Sequence, residues 1–555
     1  MESLEKIKRR SSGFLNWLPQ NLPSMPHLGG GGGSGSANGH TMKGTWQHVP
    51  LPPLPRSSHS LNVVANNAYI FGGEVEARKP VDNDMHVIVL PSSGAPADYY
   101  AVKAKPSSTT SGEPAAAHAS IPTTISEADE AEMVLKDPLS EIPLSSTPPP
   151  LATPPSAESS TPITDKGKRL DTPDIPPARV GHAAAVIGTR IFVFGGRASV
   201  AGSSTLEENG RVWVFETKTQ TWTYLDPHHS SPVPPARSYH AAVATDKPHD
   251  FLTSHPGMRL RRSATWREWA EGDSAEVGIP QRPIAGKIAE KATDEEAAEA
   301  GFGTFIIHAG CLADGSRASD VWAFDVHART WKQLPDAPGP ARGGTTLAIA
   351  NGRIYRFGGF DGKNPIGGQL DVLHLDDNSD AKGEIGISAR GSWESIMAPS
   401  SSSHNAAETE GLMKSDESWP APRSVASLSL VQAGHGREYL VLVAGESAPS
   451  AIGHAGAGKF HSDVWAFQVP PVAATATSFK DALMHTVGRK TGEGWTRVAL
   501  GPFDKEDEID AQGPGPRGWF AAAPLGDLED NAVFVMGGLA ETGERCGDAW
   551  LFRLG

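Results

Sequence analysis

The hydrophobic residues of this chain fall into short runs separated by turn residues. Between Pro177 and Tyr224, an Arg-x-x-His start is followed by an apolar run, by Ile-Phe-Val-Phe-Gly-Gly, by Arg-Val-Trp-Val-Phe and by Thr-Trp-Thr-Tyr. Apolar runs this short, bounded by glycine, proline and polar residues, predict four β-strands. The pattern recurs along the chain, and a period of about forty residues with Gly-Gly and a later Trp is typical of one propeller blade.

Six copies of the pattern can be counted from the arginine that opens each one. In most copies the second strand ends in Gly-Gly or Ala-Gly, and a tryptophan marks the third or fourth strand. We therefore predict an all-β fold, a six-bladed β-propeller in which neighbouring small sheets bury each other's faces. The six opening arginines are Arg56, Arg179, Arg237, Arg342, Arg423 and Arg517.

The two ends of the predicted repeat array are incomplete in complementary ways. The segment around Trp46 resembles the last strand of a blade, although no blade precedes it. The segment around Trp550 is a third strand with no fourth strand after it. We expect the N-terminal strand to complete the last sheet, because closure removes the exposed edges of an open array.

The low-complexity stretches set the predicted domain limits. Residues 1–44 contain an unbroken glycine run and predict a disordered tail, which leaves residues 45–555 for the propeller. Segments rich in proline, serine, threonine and alanine interrupt the blades and predict disordered surface insertions. These insertions cover about 103–175, 247–300, 377–418 and 472–492.

Composition excludes some classes of function. The net charge of −15 argues against a general nucleic-acid or membrane-surface binder. No apolar run approaches the roughly 18 residues of a membrane span, and no apolar segment of a secretory signal follows the N-terminal basic residues. Cys311 and Cys546 fall in the third and sixth repeats, which lie across a ring of six, so we expect no disulfide and a cytoplasmic location. The oligomeric state is left open.

The opening arginines are the first candidates for binding chemistry. In a ring they would surround one mouth of the axial channel, where guanidinium groups suit a carboxylate, phosphate or sulfate ligand. The alternative is that each arginine pairs with a local carboxylate or carbonyl and stabilises its own blade. His59, His182 and His240 each follow an opening arginine by three residues. We interpret them as hydrogen-bonded structural histidines rather than as a three-histidine metal site, because they come from separate blades and face away from the arginines.

The repeats resemble those of kelch propellers, and some stretches resemble the plant specifier proteins more narrowly. The latter are the nitrile-specifier, epithiospecifier and thiocyanate-forming proteins. The stretches include Phe194-Gly195-Gly196-Arg197 and the run from Glu446 to Phe460. This resemblance implies a six-bladed propeller that uses Fe²⁺ in glucosinolate breakdown, and it makes Arg197 a further candidate ligand group.

The resemblance also implies an iron site. The family motif is Glu-x-x-x-Asp-x-x-x-His, and here Glu446 and His454 occupy its first and last positions. Ser450 stands where the motif has aspartate, and a hydroxyl is a poorer ligand for Fe²⁺ than a carboxylate. Asp463 is an alternative source of a third ligand.

Two functions therefore remain open. The first is a specifier-like protein that binds a small anionic ligand near Fe²⁺, with an iron-dependent lyase activity implied only by the resemblance. The second is a non-enzymatic interaction module that holds an acidic segment of a partner protein in the arginine-lined mouth.

Overall fold

The computed structural model describes the propeller and leaves out several insertions. The described residues are 42–91, 95–107, 174–198, 205–246, 303–379, 385–399, 418–434, 436–453, 456–470 and 494–555. Most of the predicted tail and most of the predicted insertions lie outside them.

The first three blades are four-stranded antiparallel sheets. Strand β1 (Lys43–Val49) comes before them and belongs to the last blade. Blade 1 contains β2 (Ser60–Val64), β3 (Asn67–Phe71), β6 (Met85–Val89) and β7 (Asp98–Val102), with β4 (Glu74–Glu76) and β5 (Lys79–Pro80) paired in a loop. Blade 2 contains β8 (Ala183–Ile187), β9 (Arg190–Phe194), β10 (Val212–Glu216) and β11 (Thr221–Leu225). Blade 3 contains β13 (Ala241–Thr245), β14 (Thr304–His308), β16 (Val321–Asp325) and β17 (Thr330–Leu334), with β12 (Arg237–Ser238) paired to β15 (Cys311–Leu312).

The last three blades carry additions to the same plan. Blade 4 contains β18 (Thr346–Ala350), β19 (Arg353–Phe357), β20 (Gln369–Ser379), β21 (Ile385–Ala389) and β22 (Glu394–Met397). Blade 5 contains β23 (Ser427–Ala433), β24 (Arg437–Ala448), β25 (Lys459–Gln468) and β26 (Trp495–Arg497). Blade 6 contains β29 (Ala521–Pro524), β30 (Ala532–Met536), β32 (Ala549–Leu554), β1 and β27 (Ala499–Pro502), and β28 (Arg517–Gly518) pairs with β31 (Leu539–Ala540). A helix, α1 (Glu508–Gln512), and a 3₁₀ turn (Gly526–Leu528) complete the regular structure that is described.

The predicted closure of the ring is confirmed. Strand β1 pairs antiparallel with β32, which places Trp46 opposite Phe552 and His48 opposite Trp550. The Trp46 and Trp550 rings meet edge to face with centroids 6.4 Å apart. Edge-to-face contact at this distance is favourable for aromatic pairs, so the closing strand is held by side chains as well as by backbone hydrogen bonds.

The core consists of apolar clusters between blades. Each cluster joins residues of two neighbouring blades, and one of them joins the last blade to the first through Leu551 and Leu61. A single blade cannot bury both faces of its sheet, so the closed ring supplies the missing partner on each side.

Three details differ from the prediction. Strand β1 begins at Lys43, inside the predicted tail of residues 1–44. The predicted insertion at 377–418 contains the end of β20 and all of β21 and β22, because β20 continues beyond the blade and pairs with β21. Helix α1 and strand β27 had no counterpart in the prediction.

Candidate functional site

The six opening arginines lie inside the blades rather than on the surface of the mouth. These residues are at most 5% exposed. Each one donates through Nη1 to the carbonyl of the first residue of the Gly-Gly or Ala-Gly pair of its own blade, at 2.8–3.1 Å. We predicted Arg56, Arg179, Arg237, Arg342, Arg423 and Arg517 as ligand groups, but their described contacts are those of the structural alternative.

Four of these arginines share one arrangement with a carboxylate and an indole. In blade 5, Arg423 donates to both oxygens of Asp463 at 2.7 and 3.0 Å, and the Trp465 indole donates to the same carboxylate at 2.7 Å. The matching sets in blades 2, 3 and 6 are Arg179–Glu208–Trp213, Arg237–Asp320–Trp322 and Arg517–Asp548–Trp550. Because each buried guanidinium group is paired with a carboxylate and both are hydrogen-bonded, the cost of removing the two charges from water is compensated.

The mouth itself is built from the residue two positions after each opening arginine. All six of these residues have a positive φ, between 47° and 65°. Each backbone N–H donates to the carbonyl of its counterpart in the preceding blade, at 2.6–3.1 Å, and the sixth bond closes the circle. We call this circle the amide ring; its members are Ser58, Gly181, Tyr239, Gly344, Val425 and Trp519.

Two aromatic members of the amide ring form the floor of the mouth. Tyr239 of blade 3 and Trp519 of blade 6 come from opposite blades, and their rings meet at 5.5 Å and 80°. The two side chains therefore meet across the propeller axis. Both remain partly exposed, so they offer an apolar and polarisable surface to a ligand.

A second set of residues surrounds this floor, one from each blade. These post-glycine positions directly follow the glycine at the end of each second strand and pair with the residue after the opening arginine. They are Glu74, Arg197, Cys311, Phe360, Glu446 and Leu539. Arg197 is thus the one predicted ligand arginine that lies at the mouth, partly exposed, donating through Nε to Ser238 at 2.8 Å.

Three further arginines lie near post-glycine residues of the mouth, and the sequence interpretation missed them. Arg317 stacks on Phe360 at 5.1 Å, Arg545 contacts Glu74 at 3.4 Å, and Arg78 is exposed. All three belong to the loops between second and third strands, and the sequence signal that could have found them is an arginine shortly after the Gly-Gly, Ala-Gly or equivalent pair. Arg317 Nε is buried without a hydrogen-bond partner among the described residues.

The pKa values of Cys311 and Tyr239 respond to the nearby arginines, which lie close to the floor of the mouth. Burial raises the pKa of the Cys311 thiol, and the positive charges of Arg317, Arg197 and Arg78 oppose that shift. Burial and then the negative charge of Glu74 raise the pKa of Tyr239, and the positive charges of Arg197 and Arg78 oppose that shift. The positive charges therefore converge on the part of the mouth formed by blades 1 to 3.

The predicted iron site is only partly within the described residues. Glu446 lies at the mouth, 6% exposed, and burial raises its pKa to about 7 against the opposing hydrogen bond from Ser424. His454 lies outside the described residues. Asp463 is engaged by Arg423, and Ser450 Oγ accepts the Ile452 N–H. No group of three or more His, Cys, Asp or Glu side chains in the described ranges could hold a metal ion, so the Fe²⁺ site stays a prediction.

The three predicted structural histidines lie between blades, close to the strand-ending glycines. A Cβ on Gly537, Gly72 or Gly195 would lie 2.8–2.9 Å from the ring of His59, His182 or His240 respectively. All three residues are 6% exposed.

Within the described part of the chain, no helix is long and apolar enough to cross a membrane.

Comparison with known proteins identifies kelch relatives. A family model for the kelch motif matches residues 178–228. Human Kelch domain-containing protein 3 is 27% identical over 210 residues, which are 34% of this chain and 52% of that protein. Leucine-zipper-like transcriptional regulator 1 of Pongo abelii is 25% identical over 215 residues, which are 36% of this chain and 23% of that protein. The alignments therefore span about half and about a quarter of the lengths of these two relatives.

Among solved structures, that of YjhT aligns with this chain with a TM-score of 0.44 and 10% sequence identity. The alignment covers 90% of this chain and 95% of that chain. The narrower resemblance to the plant specifier proteins stays a prediction.

Proposed function

We propose that this kelch-repeat propeller is a protein-interaction module that holds an acidic segment of a partner protein at the mouth. The observation that carries the proposal is the convergence of Arg78, Arg197 and Arg317 on Cys311, beside the Tyr239–Trp519 floor. Kelch domains generally mediate protein interaction, and a kelch motif and kelch-domain relatives match this chain.

The charge distribution supports an anionic ligand. The whole chain carries a net charge of −15, yet its mouth presents a cluster of guanidinium groups. A local positive patch in an acidic protein concentrates anions there, and guanidinium forks bind carboxylates through paired hydrogen bonds. The aromatic floor adds contact area for the aliphatic parts of an acidic peptide.

The experiment compares a fluorescent tetraglutamate peptide with its tetraglutamine counterpart by anisotropy. We expect the wild type to bind only the acidic peptide, with an affinity that falls as salt is added. The variant Arg197→Ala/Arg317→Ala should weaken binding by about tenfold for each arginine, since a hydrogen bond to a charged group contributes roughly 1.5–3 kcal/mol.

The matched control removes the same charge elsewhere. Arg437 and Lys332 are exposed; Arg437 begins β24 at the end of blade 5 away from the mouth, and Lys332 lies in β17. Arg437→Ala/Lys332→Ala should bind the acidic peptide as the wild type does. Equal weakening in both variants would reduce the effect to net charge and refute a site at the mouth.

A second candidate is the specifier-like function with Fe²⁺. One observation favours it: Arg197 and Glu446 occupy equivalent post-glycine positions around the same mouth. An anionic ligand on Arg197 would therefore share a surface with Glu446, which together with His454 would hold the metal. Metal analysis of protein purified without oxygen tests this candidate. Stoichiometric iron that is lost in Glu446→Ala/His454→Ala would support it, and a wild type without iron would overturn it.

A further inference from the structure

We propose that Ser424 and Glu446 form a receptor for an arginine side chain at the mouth. The inference rests on the proposed function in one respect, namely that the arginine belongs to the bound partner segment. The propeller contains an occupied copy of the same receptor two blades away.

The occupied copy is in blade 1. Ser57 and Glu74 face each other across a pair of backbone hydrogen bonds of 3.0 and 2.9 Å, and Ser57 Oγ donates to Glu74 Oε1 at 3.3 Å. Arg545, from the neighbouring blade 6, donates through Nε to Ser57 Oγ at 3.2 Å and through Nη2 to Glu74 Oε1 at 3.4 Å. One guanidinium group thus satisfies the serine and the carboxylate together.

A second, simpler copy is in blade 3. Ser238 occupies the position of Ser57, and Arg197 of the preceding blade donates through Nε to its hydroxyl at 2.8 Å. A serine at this position occurs in alternate blades, at Ser57, Ser238 and Ser424. In the first two cases an arginine from the preceding blade reaches it.

Blade 5 repeats the receptor of blade 1 without its arginine. Ser424 and Glu446 are joined by backbone hydrogen bonds of 3.0 and 2.7 Å, and Ser424 Oγ donates to Glu446 Oε2 at 3.3 Å. The preceding blade 4 offers Phe360 at the position of Arg197 and Pro365 at the position of Arg545, and neither side chain is a donor. The described residues therefore supply Glu446 with a hydroxyl but with no cation.

The exposure of the two carboxylates agrees with this difference. Glu74, beneath Arg545, is 1% exposed, whereas Glu446 is 6% exposed. A carboxylate this deeply buried gains from a cationic partner, since a buried charge is otherwise costly.

The chemistry of the receptor selects a guanidinium group over an ammonium group. The template uses two nitrogens of one planar fork, Nε toward the hydroxyl and Nη2 toward the carboxylate. A lysine ammonium can also donate to both oxygens, which lie 3.3 Å apart, but it lacks the planar two-nitrogen fork that matches them one to one. The mouth as a whole would then select a partner segment with acidic residues over blades 1 to 3 and an arginine over blade 5.

The test uses N-acetyl-arginine methylamide, with the citrulline and lysine analogues as probes of the same backbone. Ligand-observed NMR titration suits the weak affinity of a single residue. We expect the arginine probe to bind the wild type about tenfold or more tightly than the neutral citrulline probe, and Glu446→Gln and Ser424→Ala to weaken it. Equal binding of arginine and citrulline, or unchanged binding by Glu446→Gln, would overturn the proposal.

The occupied copy provides a gain-of-site control. Arg545→Ala empties the Ser57–Glu74 receptor, so Glu446→Gln/Arg545→Ala should regain the arginine binding that Glu446→Gln lost. Should Arg545→Ala fail to fold, the Glu446→Gln titration alone decides the matter. The acidic peptide is titrated against the wild type in parallel. A wild type that binds the arginine probe but not the acidic peptide refutes the proposed function alone, and one that binds the acidic peptide but not the arginine probe refutes this inference alone.

Discussion

The free energy of unfolding of this propeller should fall steeply on acidification, because buried histidines, four of them with strongly lowered pKa values, are held neutral in the folded state. Burial is the main cause of a pKa lowered to about 3 for His59, His240 and His308, and it lowers the pKa of His182 well below its usual value. An unfolded histidine takes up its proton near pH 6.5. As the pH falls below that value, the unfolded state gains four protons that the folded state does not bind.

Glu446 works in the opposite direction over part of the same range. Its pKa is raised to about 7 in the folded state, so between about pH 7 and 4.5 the folded protein holds one proton that the unfolded chain lacks. From these five groups the net difference is four minus one, or three protons bound by the unfolded state. Burial also lowers the pKa of His374, which acts in the same direction as the four histidines. At about 1.4 kcal/mol per proton and pH unit, the free energy of unfolding should fall by about 4 kcal/mol per unit between roughly pH 6 and 4.5. Over the roughly 1.5 pH units of this range the loss is about 6 kcal/mol, which is comparable with a whole stability of about 5–15 kcal/mol.

The assay is urea unfolding followed by tryptophan fluorescence at a series of pH values. The matched variant is His59→Ala/His240→Ala, which copies the arrangement of blade 5, where Ala426 occupies the same position. Two histidines minus Glu446 leave one net proton, so the slope should drop to about 1.4 kcal/mol per pH unit whatever the variant's overall stability. A wild-type slope that is already this shallow, or a variant slope equal to that of the wild type, would refute the reasoning.

Three further changes have expected outcomes in denaturant unfolding. Arg423→Ala should cost about 3–5 kcal/mol by leaving the Asp463 carboxylate without its cation, and Asp463→Asn in the same chain should recover part of that loss. Gly195→Ala should cost about 2 kcal/mol or more, because its φ is +64° and the new Cβ would lie 2.6 Å from a carbonyl oxygen; Gly386→Ala, with nothing within 4 Å, should change stability by less than about 1 kcal/mol. Trp46→Ala should cost about 3–5 kcal/mol and speed amide exchange in both β1 and β32, whereas faster exchange confined to β1 would contradict their shared role in closure.

The fold could be predicted because its signals are local and repeated. A glycine after a short apolar run marks the end of each second strand. At Gly195 the positive φ, and a carbonyl oxygen only 2.6 Å from where a Cβ would lie, disfavour any residue with a side chain. Closure was also predictable, since Trp46 and Trp550 lie in fragments that are incomplete without each other. Helix α1 and strand β27 were not, because they follow no repeat.

The site could be predicted only in outline. An arginine that begins an inner strand can be directed toward the axis or into its own blade, and the sequence does not distinguish the two. The structure shows why the second direction prevails: a residue such as Tyr239, two positions on, turns the chain with a positive φ and takes the place at the mouth. Tyrosine, valine and tryptophan rarely adopt this conformation, so no sequence rule identifies them there.

Blade 4 shows why equivalent repeat positions are not electrostatically equivalent. Its third-strand aspartate, Asp371, is taken by Arg356, whose side chain is 0% exposed and which has no counterpart in the other blade arrangements described above. Arg342 is left with carbonyl partners at Pro338, Pro340 and Gly358. Burial, and then the charge of Arg356, lower its pKa to about 10. The arginine on a neighbouring strand has thus taken the carboxylate, just as Pro365 and Phe360 provide no cation for Glu446 among the residues that the structure describes. In a repeat protein the informative residues are therefore those at which one copy lacks a partner that its sister copies have.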